Sequence, residues 1–360
     1  MKAYVLYEIG DLRYEERPIP VPDKGEALVR VHACGICGSD IPRIYETGAH
    51  IHPLIPGHEF SGEVEDVGEN TEPSLIGHRV GIFPLIPCGQ CPACADGKYE
   101  MCSSYDYSGS RRDGAFAEYV CVPADRLATI PDQVSSEQAA MLEPMGVALH
   151  AIRRAGLLTD PGNTDGKQTI SGNSASDKNL KIAVIGLGPI GSLAVMILKD
   201  AGYRDVYAIG NKESQRRRME LLGVDETHYI TGRHELGADV VLECVGNSSA
   251  LAEAVLATAP EARIVLVGNP HGDMRLERDI YWQILRRQLY LTGTWNASYT
   301  GAQSDDWSYL IDRLGKGTLH PEKLITHRFP LENLPQGLKI MRDKTEDYCK
   351  IMITMPGNRL

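Results

Sequence analysis

The segment KIAVIGLGPIGSLAVMIL, residues 181–198, limits what this chain can fold into more sharply than any other stretch. An apolar run passes into Gly186, Gly188 and Gly191, spaced GxGxxG, and a second apolar run headed by Pro189 and Ile190 follows at once. Strand, tight turn and helix in that order open a doubly wound parallel sheet. The first glycine permits the turn, the second lets a pyrophosphate approach the backbone, and the third lets helix and strand pack closely. The helix N-terminus then faces the phosphate charge. The implied ligand is a nicotinamide dinucleotide. The run from Ile182 to Leu198 is slightly short for a membrane span and is broken by glycines and a proline, so it reads as strand, turn and helix in water.

In NAD enzymes the next strand ends in an acid that accepts a hydrogen bond from the adenosine ribose. Here DVYAIG ends in Gly210, followed by Asn211 and Lys212, with Arg216, Arg217 and Arg218 in the helix that follows. Without the carboxylate, repulsion against a 2′-phosphate disappears, while amide, ammonium and guanidinium groups offer donors to it. NADP is therefore expected over NAD. For Arg217 and Arg218 a solvated helix face is an equal reading.

A second constraint is CGQCPACADGKYEMC, which holds Cys88, Cys91, Cys94 and Cys102 between residues 88 and 102. Thiolates at this spacing wrap one ion tetrahedrally, and zinc is the expected ion. The bacterial ferredoxin run differs, its fourth cysteine following after three residues and preceding proline. Four sulfurs leave no open position, so this zinc is structural. The start, MKAYVLYEIGDLRYEERPIP, has no basic segment leading into an apolar core, so no secretory signal and a reducing, cytoplasmic setting are expected. Nine cysteines, an odd count, then favour metal ligation over disulfides.

A different donor set lies in CGICGSD with Cys34 and Cys37, in GHEF with His58 and Glu59, and far downstream in LEPMGVALHA with Glu143. One thiolate, one imidazole and one or two carboxylates suit zinc while leaving room for water or substrate, which is the composition of a catalytic site. Cys34 reads as a small core residue, since Cys37 sits closer to the turn that would aim it inward. With 42% hydrophobic and 24% charged residues, the 360-residue chain reads as a globular enzyme of roughly two domains. A net charge of −11 argues against nucleic acid and anionic membranes as partners.

CGICGSD, PGHEFSGEVEDVG, the four-cysteine loop, DGAFAEYV, LEPMGVALHA and VIGLGPIG, in this order across essentially the whole chain, resemble the zinc-dependent medium-chain alcohol and polyol dehydrogenases. IPRIYETGAHIHPLIPGHEFSG, YDYSGSRRDGAFAEYV and TGTWNAS resemble more closely the members that act on sugar-alcohol phosphates. The resemblance implies an α/β architecture: a GroES-like, β-rich catalytic domain plus a Rossmann domain with a doubly wound parallel sheet. Its parts would be residues 1–152, carrying the structural-zinc loop 88–102, a dinucleotide-binding domain at 153–291, and a return to the catalytic domain at 292–360. The polar stretch TDPGNTDGKQTISGNSASDKN reads as a flexible surface insertion between the parts.

Carried over by motif, Cys37, His58 and Glu143 would be ligands of the catalytic zinc. Glu59 would ligate directly or hold a water on the metal. Ser39 would pass the substrate's alcohol proton onward. Val245, Val267 and Gly268, at strand ends, would approach the nicotinamide. The chain departs from the resemblance at Pro42 and Arg43, where many members have a proton-carrying histidine. It departs again at Gly210, where members acting on galactitol phosphate carry an aspartate and use NAD. For a phosphorylated substrate the candidate contacts are Arg43, His50, Arg111 and Arg112, with Trp295 and Asn296 lining the pocket; exposed arginines paired to Asp113 or Glu118 are an equal reading. The expected activity is hydride transfer between NAD(P) and a polyol phosphate or its keto form, in a homodimer or homotetramer. An unphosphorylated polyol or secondary alcohol is the nearest alternative, and a non-catalytic cofactor-binding homologue is the alternative of another class.

Overall fold

The final strand of the chain, Lys350–Thr354, lies antiparallel against Glu26–Ile36, with Ile351 opposite Ile36 and Met352 opposite Gly35. Chain positions some three hundred residues apart therefore share one sheet, and this pairing builds the candidate metal site. The computed structural model describes residues 1–158, 169–170, 173–174, 177–232 and 235–355. Two compact units are present, Met1–Glu143 with Ser298–Leu360, and Pro144–Ala297. The stretch expected to be a surface insertion, 159–179, falls mostly outside the described residues.

The first unit is organised by a seven-stranded sheet in the order Ile325–Pro330, Lys350–Thr354, Glu26–Ile36, Glu59–Val67, Arg79–Ile82, Leu127–Thr129, with Tyr119–Pro123 also paired to Glu26–Ile36. Nearly every side chain of Glu26–Ile36 is buried, because the strand is covered on both faces. Its core includes Val29, Val31, Cys34, Ile36, Phe60, Phe116 and Ile351. A short helix, Ser136–Ala140, is started by a reciprocal cap: the Gln138 N–H donates to the Ser135 hydroxyl at 3.2 Å, and the Ser135 N–H donates to Gln138 Oε1 at 2.9 Å.

The second unit is a six-stranded, wholly parallel sheet in the order Tyr229–Ile230, Val206–Ile209, Ile182–Ile185, Ala238–Glu243, Thr258–Leu266, Tyr290–Gly293. Strand order reverses beside Ile182–Ile185, the arrangement that opens a ligand crevice at the carboxyl ends of the strands. All four residues of Ile182–Ile185 are buried, as are Gly191–Leu198 of the helix Pro189–Asp200 that follows. The continuous apolar run in the sequence is therefore a central strand and its covering helix. The expected fold class, a β-rich unit plus a doubly wound parallel-sheet unit, is what the chain adopts.

Candidate metal centres and coenzyme site

The Sγ atoms of Cys88, Cys91, Cys94 and Cys102 all lie within 4.8 Å of one another, with Cys91–Cys94 at 3.5 Å, Cys91–Cys102 at 3.9 Å and Cys88–Cys94 at 4.0 Å. Sulfurs bound tetrahedrally to zinc at about 2.3 Å stand about 3.8 Å apart. The set therefore fits a closed zinc site. Positive φ at Gly89 and Gly97 gives the loop its tight bends. The Ser103 backbone N–H, then that of Cys94, draws the Cys91 thiol down to about 6, whereas burial followed by the Cys91 neighbour pushes Cys94 up to about 12. Four thiolates this close repel one another, and a dication at their centre is what would let all four ionise together.

The open set forms where two chain segments meet. Cys37 follows the strand Glu26–Ile36, and His58 and Glu59 start the strand Glu59–Val67. One ligand atom from each lies within 4.8 Å of the others. Glu59 is opposite Gly35 in the ladder, and a Cβ at Gly35 would collide with Glu59 Oε2. Glycine there is what lets the carboxylate cross the strand. Gly57, at φ +98°, makes the turn that delivers His58, and any side chain on it would strike Phe116.

Three groups that motif reasoning passed over support this set. Lys350 Nζ donates to Glu59 Oε2 at 2.5 Å and Oε1 at 2.8 Å, and to the Ile36 carbonyl at 3.2 Å, so all three ammonium hydrogens have acceptors. Burial would lower the Lys350 pKa, but Glu59 and then Cys37 hold it above its ordinary value. Asp40, fully buried, accepts from the Cys37 N–H at 2.9 Å and stands 3.4 Å from His58 Nδ1. Burial opposes its charge, yet His58 and then Arg43 keep its pKa below the ordinary carboxylate value. His58 is itself raised: burial works against the cation, and Asp40 and Cys37 outweigh it. Tyr107 donates its hydroxyl to Glu143 Oε1 at 3.0 Å, with its ring edge-on to His58 at 5.7 Å. Glu143 is pushed up to about 7, first by burial, with His58 working against it and Glu59 adding to the rise. Asp40 stands three residues from Cys37 and was legible in CGSD; Lys350 and Tyr107 carried no local signal.

The other candidate residues separate. Ser39 precedes the helix Asp40–Tyr45, and its hydroxyl makes no capping bond there. Arg43 donates to Asp40 at 2.6 Å, Arg112 to Glu26 at 2.5 Å, and Arg111 to the Tyr105 carbonyl at 3.2 Å while stacking on the Tyr105 ring at 4.5 Å. The three guanidinium groups thus have three different partners, and none of these is Asp113 or Glu118, which accept from the backbone N–H groups of Ile55 and Lys2. The Arg111 and Arg112 side chains part toward Tyr105 and Glu26 rather than lying side by side. His50 is exposed. Trp295 and Asn296 belong to the other unit, Trp295 53% exposed and Asn296 at φ +53°.

In the parallel sheet, Gly186 has φ +89° and would meet Val245 if it carried a Cβ, and a Cβ on Gly191 would run into the Gly186 carbonyl. Gly188 has open space around it, so its bareness serves something that approaches from outside, as a pyrophosphate would. Pro189 and Ile190 begin the helix, half-buried. The neighbouring strand ends converge on the same turn. Buried Glu243 accepts from the N–H groups of Val245 at 2.7 Å and Gly246 at 2.8 Å, and its carbonyl accepts from Val267 and Gly268 at 2.9 Å each. A Cβ on Gly210 would stand 2.7 Å from Gln215 Oε1 and 2.9 Å from the Tyr229 hydroxyl, so these side-chain ends would have to shift to admit one. Gln215 Oε1 accepts from Asn211 and Lys212 N–H at 3.0 and 3.2 Å, and the Tyr229 hydroxyl donates to the Lys212 carbonyl at 2.8 Å. Arg217 is exposed, whereas Arg218 is buried and so departs from the solvated face considered for it.

Parallel sheet, open mixed donor set and closed cysteine loop together define a zinc-binding dehydrogenase. Residues 23–132 match the alcohol dehydrogenase GroES-like domain and residues 189–316 the zinc-binding dehydrogenase domain. The chain is 31% identical over 353 residues to galactitol 1-phosphate 5-dehydrogenase of Escherichia coli (strain K12), covering 94% of this chain and 96% of that one. It is 32% identical over 357 residues to L-threonine 3-dehydrogenase of Bacillus subtilis (strain 168), covering 95% and 94%. A crystal structure of galactitol-1-phosphate dehydrogenase from Escherichia coli superposes with a TM-score of 0.85 at 30% identity, over 98% of this chain and all of that one. The chain belongs to the zinc-type medium-chain alcohol and polyol dehydrogenase family, and is an oxidoreductase of that kind. Among the described residues no helix is long and apolar enough to cross a membrane.

Proposed function

We propose that this chain is a cytoplasmic, zinc-dependent oxidoreductase that moves a hydride between NADP(H) and a sugar-alcohol phosphate or its keto form. The observation that carries the reading is the Cys37, His58 and Glu59 set beside Glu143, held by Lys350, Asp40 and Tyr107. The likeness to an enzyme named for galactitol 1-phosphate supports the substrate class. When bound, zinc supplies a Lewis acid for the substrate oxygen, and the nicotinamide supplies or takes the hydride.

The chain's own residues do the rest. Cys37, His58 and Glu143 hold the catalytic zinc, and Cys88, Cys91, Cys94 and Cys102 the structural one. Lys350 neutralises Glu59, so that carboxylate rests on the ammonium and swings toward the metal only at the expense of that pair. Asp40 faces His58 Nδ1, leaving Nε2 as the ligating nitrogen. Tyr107 fixes one oxygen of Glu143, aiming the other. The uncapped Ser39 hydroxyl takes the alcohol proton, and with Pro42 in place of a histidine the proton leaves through water or the coenzyme ribose. Glycine at 210, with Asn211 and Lys212 beside it, supports NADP over NAD. The exposed edge strand Tyr290–Gly293, with Tyr290 60% and Leu291 40% exposed, supports self-association into a dimer or tetramer.

An unphosphorylated polyol is a second reading, favoured by the internal partners already held by Arg43, Arg111 and Arg112. Initial rates on galactitol and galactitol 1-phosphate, each with NAD and NADP, decide between them. Turnover confined to the phosphorylated polyol supports the first reading. Equal turnover of the free polyol overturns it, and a clear preference for NAD overturns the coenzyme assignment.

A further inference from the structure

Arg216, expected to offer its guanidinium to a coenzyme phosphate, is held by carboxylates instead. Its Nη2 and Nε stand 2.7 and 2.9 Å from the two oxygens of Glu213, and its Nη1 2.6 Å from Glu220. Glu213 also receives Arg217 Nε at 3.4 Å. Three of the five guanidinium N–H bonds are thereby engaged in a planar, charge-assisted pair. Beside this pair lies a cavity of about 370 Å³ whose lining includes Asn211, Lys212, Glu213, Arg216, Glu226 and Tyr229. The two cations of that lining, Lys212 and Arg216, are matched by two carboxylates, Glu213 and Glu226. A dianion entering here therefore meets the Glu213 and Glu226 carboxylates as well as the cations. Glu213 stays ionised throughout the working pH range, since Arg216 draws its carboxyl down to about 2.

We propose that Glu213 is a specificity-determining residue that restrains binding of the coenzyme 2′-phosphate, by closing Arg216 into an ion pair and placing a negative charge at the mouth of the ribose cavity. This rests on reading Gly210–Lys212 as the ribose end of the coenzyme site. Gly210 removes the family's acid, and Glu213 returns part of its effect from the next helix. NADP(H) is admitted with less affinity than the basic residues alone would give, and NAD(H) remains usable.

The test is direct coenzyme binding to the full-length, zinc-loaded protein, following quenching of protein fluorescence by NADPH and by NADH. Wild type, Glu213→Gln and Glu220→Gln are compared. Glu213→Gln is expected to tighten NADPH roughly three- to tenfold and to leave NADH within about twofold, as expected for one charge removed near a dianion at a solvated site. Glu220→Gln, which releases only Nη1, is expected to act in the same direction and less. Unchanged NADPH affinity in Glu213→Gln, or equal shifts for both coenzymes, overturns the inference. The two readings fail separately. Wild type that prefers NADH, with a variant that gains NADPH, refutes the coenzyme assignment and upholds the role of Glu213. Wild type that prefers NADPH, with an indifferent variant, does the reverse.

Discussion

Replacing Lys350 by Met removes the ammonium while keeping most of the side chain's volume. The pair it belongs to is fully internal, Lys350 and Glu59 each 2% exposed. At an effective dielectric of 20, unit charges about 2.8 Å apart attract by about 6 kcal/mol. Desolvation of both ions offsets most of this in the intact pair, so the pair itself adds little. The single variant is different, because it strands a buried carboxylate with no counterion, which costs about 3–5 kcal/mol. For a unit of this size each kcal/mol lowers the melting temperature by about 2–4 °C, so metal-free Lys350→Met should melt roughly 6–20 °C below wild type. Adding Glu59→Gln removes the stranded charge and should recover at least half of the loss. Zinc should also recover part of it, since the metal would face the freed Glu59 in place of the missing ammonium. Calorimetry on the metal-free and zinc-loaded proteins checks this. A loss below about 1 kcal/mol, or a double variant no more stable than the single, refutes the reasoning.

Further outcomes are expected elsewhere. Cys94→Ser should lower bound zinc from two ions per chain to one, read by elemental analysis of dialysed protein. Tyr107→Phe deletes a hydrogen bond to a carboxylate, worth about 1.5–3 kcal/mol, and should lower kcat/KM at least tenfold while leaving coenzyme affinity unchanged. Gly210→Asp should weaken both coenzymes rather than convert the chain cleanly to NAD, because its Cβ meets Gln215 and Tyr229; titration with each coenzyme reads this directly. Arg112→Met should leave the KM for a phosphorylated polyol within about twofold if Glu26 is its main partner, whereas a tenfold rise would return it to the substrate site.

What could be read in the sequence was local. The four cysteines lie in one short loop, and GxGxxG is flanked by the strand and helix that give it meaning, so spacing alone points to their geometry. Gly210 was visible as a missing acid, but the reason for the glycine was not: Gln215 and Tyr229 fill the space, one from the next helix and one from the next strand. Lys350 was out of reach because it meets Glu59 across 291 residues of chain, and only pairing of the last strand with Glu26–Ile36 brings it there. Tyr107 and Glu143, 36 residues apart, meet for a similar reason. The arginines show the opposite limit. In GSRRDG two adjacent guanidinium groups look like one clamp, yet neighbouring side chains that leave the backbone in different directions reach different partners, and sequence spacing carries no information about which.

The most direct test of the central claim is hydride transfer measured against metal content. Zinc is removed from the wild-type protein, one and then two equivalents are returned, and NADPH formation from galactitol 1-phosphate is followed beside the folded fraction at each step. The account predicts that the first equivalent restores stability through the cysteine loop, which offers four thiolates and no competing partner, and that turnover appears with the second, as Cys37, His58 and Glu143 fill. Full turnover in protein whose open site holds no metal would contradict it.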